Sequence, residues 1–159
     1  MNKLSITALL VSSVLIGCVH LTPLELPILT SDIQAQTYTY NELTGKQNEL
    51  WEKARQHILM MYGKNQPVIR VANQTNGTLI GRGVIGWKIL PSSQSYCYSE
   101  YDFRLMVRDD KARFLLQLLP GVLAKSNCEG RELPSQYGYK KIIDEFDIMS
   151  DKLESVLRE

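Results

Sequence analysis

Apolar and polar positions alternate most clearly over residues 96–108. In an extended chain Ser99, Tyr101, Phe103, Leu105 and Val107 share one face, while Tyr98, Glu100, Asp102, Arg104, Met106 and Arg108 share the other. Asp109-Asp110 then turns this strand into a second one over residues 112–119. With those two residues as the loop, Leu105 falls opposite Phe114 and Phe103 opposite Leu116, so apolar meets apolar across the pair. Residues 68–75 and 78–89 flank Asn76-Gly77, which suits a two-residue hairpin because both central positions need positive φ. Gly81 and Gly83 interrupt the second of these strands and point to a bulge or the close approach of a helix. Residues 33–40, rich in Thr, Tyr and Gln with some alternation, read as a first strand.

Two segments change period. Leu43, Leu50, Ala54, Ile58 and Met61 recur at multiples of three and four, with Trp51 and Tyr62 widening the stripe and Glu49, Glu52, Lys53 and Arg55 on the other side. This predicts a helix over 44–62, with Thr44 as N-cap and Gly63 as terminator. Tyr139, Ile142, Phe146, Met149, Leu153 and Val156 predict a second helix over 139–158, reached by a long loop over 120–137. The order is strand, helix, four antiparallel strands, helix. That is an α+β domain with one sheet face buried under two helices.

The N-terminal stretch has a different character. Lys3 precedes an uncharged apolar or small-residue run over 4–16, too short for the roughly twenty apolar residues that cross a bilayer. The run ends in Leu15-Ile16-Gly17-Cys18, which resembles a bacterial lipobox. The resemblance implies a signal peptide over 1–17 and a diacylglycerol on the Cys18 thiol; the competing reading is an ordinary signal peptide with a chance cysteine. One acyl chain binds a membrane marginally and two hold it, and bacterial lipoproteins carry at least two. Val19, not Asp, follows the cysteine, so in a diderm host the resemblance implies sorting to the outer membrane, facing the periplasm. Residues 18–32 contain Pro23 and Pro27 and no usable period, and read as a lipidated tether. Its leucines have the alternative of packing onto the domain, which then occupies 33–159.

Charge narrows the partners. Loss of Lys3 with the leader leaves 17 basic and 17 acidic residues. A neutral chain argues against nucleic acid or a broad anionic surface as partner. Cys97 and Cys128 form an even pair in an oxidising compartment and read as a disulfide, with two buried thiols as the alternative. With His20 and His57 they have no zinc-like spacing, so no metal or cofactor is expected. His57 flanks its helix stripe and reads as a helix-flank side chain more readily than as a base. Glu100 and Asp102 project the same way from one strand, within range for acid/base work, but Arg104 and Arg108 on that face favour charge neutralisation. Asp109 and Asp110 read as turn residues. Asn73 and Asn76 each open a glycosylation sequon, but behind a bacterial leader the turn reading prevails. No nucleophile elbow, zinc-protease, phosphate-loop or calcium-loop pattern occurs.

Three stretches resemble one bacterial family: residues 48–55, residues 77–83, and residues 101–114 (Tyr-Asp-Phe-Arg-Leu-Met-Val-Arg-Asp-Asp-Lys-Ala-Arg-Phe). Their order and spacing over 35–120 are similar to the domain of unknown function 4468. The resemblance implies a TATA-binding-protein-like fold, a curved antiparallel sheet with two helices on one face, and brings no activity. The expectation is a non-catalytic binding or assembly module held near the membrane. An accessory inhibitor or gating subunit of another envelope protein, and a hydrolase with an unrecognised site, are the alternatives. The candidate binding surface is the outer sheet face, Tyr98, Arg104, Met106, Arg108, Arg113, Leu115 and Leu119. Its cover is either the tether leucines (Leu21, Leu24, Leu26, Ile28 and Leu29) or a second subunit or envelope partner.

Overall fold

The computed structural model describes residues 22–62, 68–124, 126–128 and 130–159. The leader, Cys18, His20, Leu21 and Gly63 lie outside the described residues. Strand β1 is Gln36–Tyr40, followed by helix α1, Gln47–Tyr62. Strands β2 (Ile69–Asn73), β3 (Thr78–Trp87), β4 (Cys97–Arg108) and β5 (Lys111–Leu118) follow, and α2 (Gln136–Arg158) closes the order. The α+β arrangement expected from the period changes is the one observed.

All pairings are antiparallel and the sheet order is β1-β5-β4-β3-β2. The strand before α1 and the strand after it therefore lie on opposite edges. Four strand spacings amount to about 19 Å. A 16-residue helix is about 24 Å long, enough to carry the chain across one face of the sheet. The meander β2 to β5 then returns to β1, and α2 packs beside α1 on the same face.

Alternation decides which face is buried. Cys97, Ser99, Tyr101, Phe103, Leu105 and Val107 of β4 are buried, as are Ala112, Phe114, Leu116 and Leu118 of β5. Leu50, Ala54 and Ile58 of α1 and Ile142, Phe146, Leu153 and Leu157 of α2 complete this core. Tyr101 meets Phe146 edge-on with centroids 5.2 Å apart. Trp87 and Ser99 satisfy their polar atoms inside this core: Trp87 Nε1 donates to Ser99 Oγ (3.0 Å), which donates to the Gly121 carbonyl (2.9 Å). The Tyr40 hydroxyl shares a 2.8 Å hydrogen bond with Ser150 Oγ and ties β1 to α2.

The β4–β5 register is the expected one, Phe103 opposite Leu116 and Leu105 opposite Phe114. The first hairpin differs. Its loop is Gln74 to Gly77, because Asn73 pairs with Thr78, and of these four residues only Gly77 has positive φ, at 58°. Asn73 Oδ1 accepts the Asn76 N–H (2.9 Å) and the Gln74 carbonyl accepts the Gly77 N–H (3.0 Å), so a side chain closes the wider turn. A bulge lies where expected, but in β2 opposite Gly81, between Ile69 and Val71. The groups that crowd Gly81 and Gly83 are the rings of Phe103 and Tyr101 from β4, not a helix.

The helix starts also differ. Thr44 does not cap α1; Gly45, at φ 142°, intervenes and the helix begins at Gln47. Its cap comes from the β4–β5 turn, where Asp109 Oδ1 accepts the Gln47 N–H (2.9 Å) and Oδ2 pairs with Lys46 (3.2 Å). Those two donors, the backbone N–H first, hold the Asp109 carboxyl below its ordinary range. Asp110, at φ 60°, is the turn residue proper, and its carbonyl accepts the Leu43 N–H (2.8 Å). Helix α2 begins one turn before the apolar stripe, capped by Ser135, whose Oγ accepts the Gly138 N–H (3.0 Å).

Candidate binding face

The sheet face turned away from the helices is built by the register. One lateral row reads Val71, Ile80, Arg104, Leu115, Thr37 and crosses all five strands. The next reads Asn73, Thr78, Met106, Arg113, Thr39. On the other side of Arg104 lies Arg82, Asp102, Gln117, and beyond it Val84 and Glu100, whose carbonyl accepts the Leu119 N–H (2.9 Å). Ile80, Val84, Met106, Leu115 and Leu119 are half-buried by their lateral neighbours, and none of them is covered as the core residues are. Arg104, Met106, Arg108, Arg113, Leu115, Leu119 and Tyr98 thus share one face, as the alternation predicts.

Charge on this face is divided. Arg82 forks onto Asp102, with Nε to Oδ1 at 2.6 Å and Nη2 to Oδ2 at 3.1 Å, and reaches Glu100 Oε2 at 3.3 Å. The carboxylate pair is neutralised as expected, but by Arg82 and not by Arg104 or Arg108. The register sets Arg82 directly opposite Asp102. Arg108 turns to the hairpin loop instead, its Nη1 donating to the carbonyls of Asn76 (2.6 Å) and Val107 (2.9 Å) and to Gln47 Oε1 (3.4 Å). Arg104, Lys111 and Arg113 form no ion pair among the described residues. Ile80, Arg82, Val84 and Lys111 were missed as members of this face. Alternation along β3 carried the signal for three of them, obscured by Gly81 and Gly83.

The tether does not cover the face with its described leucines. Ile28 N–H donates to the Pro134 carbonyl (2.9 Å), Gln136 N–H to Leu26 (2.8 Å), and Arg131 Nη1 to Glu25 (2.8 Å). The segment is thereby docked on the loop that enters α2, with Ile28 buried and Leu24, Leu26 and Leu29 exposed. Two short 3-10 helices, Pro23–Glu25 and Thr30–Asp32, leave the backbone groups between and at their ends to bond to the neighbouring loop.

Cys97 and Cys128 are joined, their Cα atoms 5.6 Å apart. After β5 the chain keeps to the edge of β4, with Leu123 N–H on the Tyr98 carbonyl (2.8 Å) and Ser126 Oγ accepting the Tyr98 N–H (2.9 Å). His57 sits on α1, where burial first and Lys152 second push its pKa down, and its Nε2 is buried without a hydrogen bond. The sheet stands between it and Glu100 and Asp102, so the acid/base grouping that those three would make is not assembled.

No family model matches the sequence, and none of the curated proteins does. Among solved structures, a TBP-like protein from Parabacteroides distasonis matches over 82% of this chain and 97% of its own, with a TM-score of 0.58 and 8% identity. The fold is TBP-like. A DUF4468 family protein from Bacteroides ovatus matches over 81% of this chain and 85% of its own, with a TM-score of 0.49 and 10% identity. The TBP-like fold is the one that the resemblance of residues 35–120 implies.

Proposed function

We propose that this chain is a lipid-anchored lipoprotein of the bacterial envelope, in the outer membrane of a diderm host, whose TBP-like domain binds another protein or a second copy of itself without catalysis. The observation that supports it is an outer sheet face that the described helices and tether leave uncovered. Both helices lie on the other side, and the described tether is docked at the entry to α2. A row of Val71, Ile80, Leu115 and neighbouring Met106, with Arg104 and Arg113 among them, has the mixed apolar and arginine character of binding surfaces. Nucleic acid does not suit a neutral mature chain.

Two experiments test the two halves of this reading. Cys18→Ser is expected to yield a chain that takes up no palmitate and leaves the membrane fraction. A wild-type chain that is unlabelled and soluble, beginning downstream of Cys18, would refute the anchor. A charge placed at the centre of the face, Leu115→Glu, is expected to abolish association while the domain stays folded.

A further inference from the structure

At the turn end of the outer face lies a basin of about 210 Å³ lined by Thr39, Met106, Arg108, Lys111, Ala112 and Arg113. Three of its six lining residues are cations and none is an acid. The sheet produces this directly. Lys111 and Arg113 are two apart on β5 and project the same way, Arg108 pairs with Lys111 across the ladder, and Met106 and Thr39 flank Arg113 on either side. Of the two acids in the adjoining turn, Asp109 is directed to the helix side, where it caps α1 and pairs with Lys46, and Asp110, next to Lys111 in the chain, forms no ion pair among the described residues. Further along this face Arg82 has Asp102 and Glu100 as counter-charges. Here the cations stand without counter-charge: Lys111 and Arg113 form no ion pair among the described residues, and Arg108 is fixed through Nη1 by the Asn76 carbonyl.

We infer that this basin binds a phosphate monoester. Such a group is close to dianionic at neutral pH and presents three acceptor oxygens. The guanidinium of Arg113 matches two of those oxygens at once, Lys111 supplies a mobile point charge, and the Thr39 hydroxyl is a further donor. Met106 gives the basin an apolar wall for the carbon next to the ester oxygen. The volume accommodates the phosphoryl group with a short organic stub. The same chemistry is offered by a soluble phosphate ester and by a phospholipid headgroup with a terminal phosphate. The inference rests on the outer face being the acting surface and adds what one end of it recognises.

The test uses the full chain in neutral detergent, titrated in one arm with glycerol 3-phosphate and in the other with phosphatidic acid mixed into the micelles. The Met106 methyl signal is followed by nuclear magnetic resonance. A saturable shift is expected, with affinity about tenfold weaker in Arg113→Gln and in Lys111→Gln, and unchanged in Arg70→Gln, an exposed arginine of β2 outside the basin. A shift in the soluble arm alone assigns a free solute, and one in the micelle arm alone assigns a lipid headgroup. No shift in either arm, or equal affinity in Arg113→Gln, overturns the proposal. Association of the same samples with and without Leu115→Glu separates the two claims: if that variant loses association while neither phosphate binds, the face stands and the anion site falls.

Discussion

Individual side chains in this domain are set by what their neighbours leave free. Tyr40 ends β1 under α2, and its phenol pKa is pushed up to about 12, by burial first, with Glu154 and Asp151 adding to it and the Ser150 hydrogen bond opposing. A folded-state value above the unfolded one of 10.0 means stability that is complete below that pH and lost as pH rises through the folded value. The domain is therefore expected to lose stability between about pH 10 and 12. Tyr38, raised by burial and by its hydrogen bond to Asp147, contributes in the same direction. Tyr40→Phe should lessen the alkaline loss while costing about 1 kcal/mol at neutral pH through the missing hydrogen bond. Urea denaturation across that range checks both, and an unchanged alkaline slope in the variant would count against the assignment. Gly81 is constrained by space: a Cβ there would run into the Val68 carbonyl oxygen and the Phe103 ring. Because that carbonyl, on the residue just before β2, accepts the Arg82 N–H (2.8 Å), Gly81→Ala should destabilise by about 2–3 kcal/mol. A loss below about 0.5 kcal/mol in the same assay would mean that the segment leading into β2 yields freely.

Elements differ in how far their own residues determine them. The β4–β5 hairpin was legible because two long alternating runs admit one apolar-on-apolar register, and a slip of one residue would turn Phe103 and Phe114 outward. The helix stripes were legible for the same reason. What the pattern missed came from distant residues: α1 is capped by Asp109, 62 positions away, and the tether is fixed by backbone bonds to the loop before α2. The Asn76-Gly77 turn was misjudged because the Asn73 side chain competes for the Asn76 N–H. On the outer face the β4 and β5 members were legible, whereas Arg82 needed the β3 register to reach Asp102. The Cys97–Cys128 bridge closes a span of 31 residues that contains β4, β5 and much of the irregular loop. By chain-entropy arguments it is worth roughly 3.5 kcal/mol. Reduction should lower the unfolding free energy by about that amount and loosen the loop first. Intact-mass analysis with alkylation before and after reduction checks the bridge, and two alkylatable thiols in the unreduced protein would refute it.

Across the whole molecule, one face of the sheet is buried in the core and the other stays partly exposed among the described residues. Helix α1 carries the chain from one sheet edge to the other, α2 fills the remaining width, and both lie on the same side. No described apolar segment crosses to the far side, so Ile80, Met106, Leu115 and Leu119 keep partial exposure beside unpaired arginines. Leu115 sits between Arg104 and Thr37 in the row that spans all five strands. A glutamate there meets no core residue, yet brings an unmatched charge into any apolar contact made by the face. Chemical crosslinking of the full chain in its own membranes, wild type against Leu115→Glu, with circular dichroism of the purified variant as the folding control, tests the central claim most directly. The account predicts a specific crosslinked species in the wild type that disappears in a folded Leu115→Glu chain; the same species at undiminished yield in that variant would contradict it.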